Sequence, residues 1–185
     1  MRRVVTGVDE TGRATVTSDQ EIPGHAFEAI PGMHATMLWA TSAGPVDRSG
    51  TDPVPTLRHD LPGHGETRFH LIQFPPEQVF TAPEFDAEAA AAEQRTVSPD
   101  LSALFEPGTP GTHTTDTTDY TFVLAGTIVL ELDDGVEVEL RQGDALVQNG
   151  TRHTWHNRSD APALLGIVWV GPTSPRLRLV QDVRD

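Results

Sequence analysis

The chain has 185 residues and a formal net charge of −14, from 27 acidic residues against 13 basic ones. A surface of that sign repels phosphate backbones and anionic headgroups, which makes nucleic acid and membranes poor partners. Cysteine is absent and every basic residue is arginine, which removes thiolate nucleophiles, disulfides and Schiff-base lysines and leaves any chemistry to His, carboxylates, hydroxyls, Tyr120 or a bound metal.

The length suits a single domain over 1–185, and no apolar run approaches the ~18 residues of a membrane span. The start, MRRVVTGVDETGRATV, has two arginines with no apolar stretch behind them. It lacks a secretory layout, and a cytoplasmic location is expected. Residues 1–66 are rich in Gly, Pro and Thr, with strand-like pieces such as RATVTS and ATMLWAT between breakers, and predict edge strands and long loops. TRFHLIQF (Thr67 to Phe74) is a better strand, stopped by Pro75 and Pro76.

A short helical insertion is expected over 77–110. APEFDAEAAAAEQR combines an alanine run with early acids and a late Arg95, matching helix propensity and the macrodipole. SPDLSALF follows, with Ser98 as N-cap and Pro99 at the first helical position. The segment EPGTPG at 106–111 is a candidate hinge if the insertion covers a site, and packing outside the domain is the other reading. From Tyr120 the pattern changes. YTFVLAG, TIVLEL, VEVEL, ALVQ, HTWHN and ALLGIVWV follow one another between regular turn signals, predicting an all-β antiparallel sandwich or small barrel.

Two segments in that β region hold ligand-type side chains. Thr112 to Asp119 packs one His, two Asp and five Thr into eight positions. His113 and Thr115 share a face by alternation, and Asp119 opens the next apolar strand. In GDALVQNGTRHTWHN, Gly143 closes a turn and His153 precedes Asn157 by four residues.

This pair of segments, residues 111 to 157, resembles the two motifs of the cupin superfamily, G-x5-H-x-H-x3-4-E-x6-G and G-x5-P-x-G-x2-H-x3-N. His113 falls on the first motif histidine, Asp119 on the glutamate and Gly126 on the closing glycine. Gly143, His153 and Asn157 fall on the glycine, histidine and asparagine of the second motif. Thr115 stands where the second histidine would be, Asp119 replaces glutamate, Asn149 replaces proline, and the path from Gly143 to His153 is one residue short. The resemblance implies a cupin-type antiparallel β-barrel, a jelly roll, with conserved-type motifs over 111–170, a homodimer paired through edge strands, and one divalent metal ion held by His113, Asp119 and His153. Two imidazoles and a carboxylate suit Fe, Zn, Mn, Ni or Co and leave positions open for substrate. Thr115 also admits a second reading, a barrel without metal that serves as a ligand pocket.

Thr115, Trp155 and Asn157 are the expected substrate-pocket residues, with a core role as the commoner one for Trp155. Asp116, Arg68 and His70 are the catalytic candidates. Asp116 alternates away from His113 and suits bonding within its own turn, unless a bulge turns it inward. Arg68 and His70 share one face of their strand, and an inward Arg68 would be a carboxylate clamp. Tyr120 should point away from Asp119 and pack between sheets, and His156 should face outward. His25, His34, His59 and His64 have no ligating spacing. The expected activity is that of a metal-dependent enzyme on a small oxygenated metabolite, carboxylate or β-dicarbonyl, in secondary metabolism. A lyase or isomerase is the first reading, a non-haem iron(II) dioxygenase the second, and a non-catalytic small-molecule binder the third.

Overall fold

The computed structural model describes residues 1–173, and the expected domain's last residues, 174–185, lie outside them. The strands are β1 (Arg2–Val8), β2 (Ala14–Glu21), β3 (His25–Ala26), β4 (His34–Thr41), β5 (Thr67–Phe74), β6 (Thr118–Ala125), β7 (Thr127–Glu131), β8 (Glu137–Arg141), β9 (Ala145–Asn149), β10 (Thr154–His156) and β11 (Ala163–Val170). Two helices, α1 (Ala87–Val97) and α2 (Pro99–Ser102), lie between β5 and β6. β1 was not anticipated, because RRVVTGV shows little alternation. It pairs antiparallel with β2 as a separate hairpin.

The remaining strands form two antiparallel sheets, six strands in the order β3-β4-β5-β11-β6-β9 and three in the order β10-β7-β8. The core lies between them. Val123, Leu165, Ile167 and Trp169 of the large sheet pack with Ile128 and Leu140 of the small one. Leu165 and Ala163 are fully buried, and each side chain the size of leucine stabilises by roughly 1.5–3 kcal/mol when removed from water. This is the expected all-β cupin-type architecture.

Two glycines bring the motif segments into position. Gly126 joins β6 to β7 at φ 77°, and a Cβ there would lie 2.8 Å from the Pro162 carbonyl oxygen. Gly150, at φ 59°, would bring a Cβ within 2.9 Å of the Thr115 carbonyl oxygen, so only glycine lets the chain after β9 run against the first segment.

The insertion departs from expectation in its caps. α1 begins at Ala87, later than the run starting at Ala82 suggested, because the Asp86 carboxylate accepts from the backbone of Glu88 and Ala89. Ser98 occupies the cap position of α2, yet its hydroxyl makes no capping bond. The Asp60 carboxylate does that work from across the chain, accepting from the Asp100 and Leu101 amides, while Asp100 accepts from the Asp60 amide. α1 packs its Ala90 against Phe27 and Ile30. Glu93 ties it further by accepting from the Glu28 and Ala29 amides. Leu101 joins the barrel core, and the Phe105 ring centroid is 5.6 Å from that of His113. The 106–111 segment is also fastened: the Glu106 amide donates to the Thr112 carbonyl, and its carboxylate takes both a 2.8 Å and a 2.7 Å bond from Arg152.

Tyr120 corrects one expectation. It points away from Asp119, as alternation requires, but it lies on the outer face of the large sheet, 44% exposed, and does not pack between sheets. His156 faces outward as expected, opposite to core-packed Trp155 on β10. It is half-buried, with Nε2 2.7 Å from Glu131 and Nδ1 3.6 Å from Glu77.

Candidate metal and substrate site

His113 and His153 come together through the backbone. They form an isolated antiparallel bridge in which each amide donates to the other's carbonyl at 3.0 Å. Their rings are 4.3 Å apart between centroids and inclined at 55°. Each Nδ1 then faces a carbonyl two residues back: His113 to Gly111 at 2.8 Å, and His153 to Thr151 at 2.9 Å. A carbonyl only accepts, so Nδ1 carries the hydrogen in both rings and Nε2 carries the free lone pair. Burial pushes the His113 imidazolium below its ordinary range, and burial with the nearby His113 pushes His153 down to about 4. Both rings are neutral at pH 7, the form that ligates metal.

That donor pair fits two positions of a divalent ion of the Fe, Zn, Mn, Ni or Co class. The expected third ligand does not stand with it. Among the described residues no group of three or more His, Cys, Asp or Glu side chains could hold a metal ion. Asp119 is instead the end of a hydroxyl chain. Thr117 Oγ1 donates to Asp119 Oδ1 at 2.5 Å, and Thr115 and Thr117 share a 2.7 Å hydroxyl bond. Asp119 is buried, and burial raises its carboxyl to about 6 against the opposing bond from Thr117.

A cavity of about 340 Å³ opens beside this chain, with Thr115, Asp116 and Thr117 on one wall and Leu61, Leu104 and Pro172 among the others. Its volume is at the lower end for small-ligand sites. Asp116 is exposed at the cavity wall. Thr117 was missed in the sequence, although the alternation His113, Thr115, Thr117, Asp119 contains it. Gln148 was missed too: it lies opposite Asp119 in the sheet, and its amide donates to the Thr151 carbonyl and hydroxyl, steadying the turn that orients His153.

The other expected residues have separate places. Arg68 faces inward and is buried, but its guanidinium is already held by Glu66 at 2.7 Å and by the Thr67 and His59 carbonyls. His70 lies on the same inner face against Trp169, ring centroids 4.3 Å apart, with Nε2 unpartnered among the described residues. Burial, with the adjacent Arg68 charge, depresses it to about 3, so it is neutral. Trp155 packs on the core and stands edge-on to His153 at 6.0 Å. Asn157 does not line the cavity. Its amide donates to the Phe74 and Ala161 carbonyls and its oxygen accepts from Ser159, which ties the β10–β11 turn to the end of β5.

No helix among the described residues is long and apolar enough to cross a membrane. Residues 101–171 match the family model described as Cupin domain. Two curated relatives, phomopsin biosynthesis cluster proteins C' and D of Diaporthe leptostromiformis, are each 54% identical over 41 residues, covering 22% of this chain and 22% of theirs. The match thus spans about a fifth of the relatives' length. Among solved structures, the chain is similar to the cupin domain of an XRE-family transcriptional regulator from Enterobacter cloacae, at 14% identity and a TM-score of 0.39, over 76% of this chain and 98% of that one. It is also similar to a cupin superfamily protein from Desulfitobacterium hafniense, at 9% identity and a TM-score of 0.39, over 75% and 77% of the two chains.

Proposed function

We propose that this chain, which belongs to the cupin superfamily through its domain at residues 101–171, is a metal-dependent enzyme. It acts on a small oxygenated metabolite with a carboxylate or β-dicarbonyl pattern, by a lyase or isomerase reaction: dehydration, decarboxylation or tautomerisation. The observation that carries this reading is the pair of buried imidazoles, each with Nδ1 bonded to a backbone carbonyl and Nε2 left to ligate. Backbone anchoring of that kind fixes tautomer and ring orientation at metal centres.

When bound, a divalent ion would polarise substrate oxygens. His113 and His153 would hold it, and water or substrate would fill the positions no third side chain supplies. The Asp119 carboxyl, raised to about 6, can hold or release a proton, with Thr117 and Thr115 linking it to the cavity wall. Of the three catalytic candidates, Asp116 is the one that lines the cavity. Arg68 and His70 are assigned to shaping β5. Leu61, Leu104 and Pro172 give the cavity apolar lining. The relatives' names point to a biosynthetic cluster, which supports a place in secondary metabolism.

A second reading, a small-molecule binder without metal, is favoured by one observation: Asp119 is engaged with Thr117 and does not stand with the two histidines. Elemental analysis of the purified protein beside His153→Ala separates the two. Near-stoichiometric metal in the parent and its loss in a folded variant support the enzyme; no metal in either after reconstitution supports the binder. Iron as the bound metal, with turnover that stops without dioxygen, would replace the lyase by a non-haem iron(II) dioxygenase.

A further inference from the structure

The carbonyls that orient the two imidazoles belong to short turns, and one ion pair spans both. Gly111, at φ 82°, supplies the partner of His113, and Thr151 supplies that of His153. Neither turn lies in a helix or strand, so each depends on the contacts that fix it. The first is closed from Glu106, whose amide donates to the Thr112 carbonyl at 2.8 Å, while the Thr112 amide donates to the Thr109 carbonyl at 3.0 Å. The second has Arg152 at its centre, between the carbonyl of Thr151 and the ring of His153. Arg152 Nε and Nη2 donate to the two oxygens of Glu106 at 2.8 and 2.7 Å, and Nη1 donates to Asp133 of the β7–β8 turn at 3.1 Å. A planar guanidinium bonded along its edges in this way fixes direction as well as distance. Among the described residues that line the cavity at Thr115 and Thr117, neither Arg152 nor Glu106 is found, so neither would touch a substrate there.

We infer that Arg152 and Glu106 are positioning residues for the histidine pair: their ion pair locks the two carbonyl turns together and so sets which nitrogen of each ring is free. The inference rests on the reading of His113 and His153 as metal ligands. An imidazole that turns away from its carbonyl, or carries its hydrogen on Nε2, no longer presents that lone pair to a metal. Groups bonded behind a ligating imidazole govern metal affinity strongly. Here those groups are main-chain carbonyls, which keep their place only while their turns do, and control passes to the side chains that hold the turns. Arg152 and Glu106 are exposed by 39 and 36%, and an ion pair so open to water adds little to global stability. Its effect is therefore local. Phe105, which packs its ring near that of His113, directly precedes Glu106. The same pair thus makes the 106–111 segment a strut between the helical insertion and the histidines.

The test compares the full chain with Arg152→Gln, Glu106→Gln and Arg152→Lys. Arg158→Gln is the control, since Arg158 makes a similar two-bond pair with Glu137 away from both turns. Three quantities are read: ring tautomers of the metal-free protein by proton–nitrogen correlation, zinc affinity by competition with a chromophoric chelator, and the urea midpoint. In both glutamine variants a fraction of His113 or His153 should carry hydrogen on Nε2, and zinc should bind about tenfold more weakly or worse, with the urea midpoint close to the parent's. Arg152→Lys, which keeps the charge and loses the fork, should fall between. Arg158→Gln should match the parent throughout. Parental tautomers and parental zinc affinity in both glutamine variants overturn the inference. So does a loss confined to the urea midpoint, which would make the pair purely structural. Should Arg152→Gln fail to fold, Glu106→Gln, which leaves Arg152 bonded to Asp133, decides in its place. A parent that takes up no zinc contradicts the metal reading, and the tautomers of the metal-free variants then decide the positioning role on their own.

Discussion

The two sheets of the barrel differ in how they distribute polar and apolar side chains. The small one is conventional: Ile128, Leu130 and Leu140 are buried while Glu131, Glu137, Glu139 and Arg141 lie on its outer side. The large one mixes polar and apolar groups on its inner side, where Val123, Leu165, Ile167 and Trp169 also join the core. Its inner face buries Arg68, His70, Asp119, Thr121 and Gln148, and its outer face exposes Phe69, Tyr120, Phe122, Leu124 and Val147. Polar groups buried among apolar ones on the inner side, and large apolar side chains left open on the outer side, set this sheet apart from the other. The small sheet contributes packing, and an isolated bridge outside both sheets joins the histidine pair.

Substitutions separate the two sheets, and the largest effect should come from the small one. Ile128→Ala, at a site only 1% exposed, should cost about 2–5 kcal/mol in denaturant unfolding. Arg68→Ala should cost about 2 kcal/mol, below the usual range for a buried pair because Glu66 is 31% exposed and water screens it. A neutral result there would mean that the inner polar face of the large sheet is not structural.

The pH dependence sharpens the same contrast. Asp119 binds its proton more tightly folded than unfolded, so its contribution falls as pH rises from about 4 to about 6. His70 and His153, lowered to about 3 and about 4, have the opposite sign: the unfolded chain binds protons more tightly, and stability rises with pH towards 6.5. The two imidazoles outweigh the carboxyl, so metal-free protein should gain stability between pH 4 and 6.5. Asp119→Asn should steepen that gain by up to about 3 kcal/mol, read from urea midpoints across the range. The smallest effect belongs to the small sheet's outer face, where Glu139→Ala, removing an exposed pair with Arg141, should stay within about 0.5 kcal/mol of the parent.

Much of this was legible in the sequence. Period-two alternation and turn glycines gave β4 to β11 and the all-β class, and the spacing from His113 to Asn157 picked out the segments that meet at the histidine bridge. Alternation also placed Arg68 and His70 on one face, but their partners depend on chain far away in sequence or on loop conformation. Glu66 claims Arg68 through a local bend, and the carbonyls that orient the two histidines belong to turns. Asp119 shares a face with His113 in a regular strand, yet the chain bends between 114 and 117 before β6 begins, which leaves Asp119 to Thr117. The outer apolar face was visible in YTFVLAG itself, where Tyr, Phe and Leu alternate with inward residues. The expectation that Tyr120 packs between sheets failed because alternation fixes opposite faces and does not say which face is covered.

The histidine pair is tested most directly by a long-range proton–nitrogen correlation spectrum of the rings, assigned with His113→Ala and His153→Ala and repeated after one equivalent of zinc. Both rings should carry hydrogen on Nδ1, both Nε2 resonances should report an unprotonated nitrogen, and zinc should shift those two together. Hydrogen on Nε2 in either ring, or Nε2 resonances that zinc leaves unmoved, would contradict this.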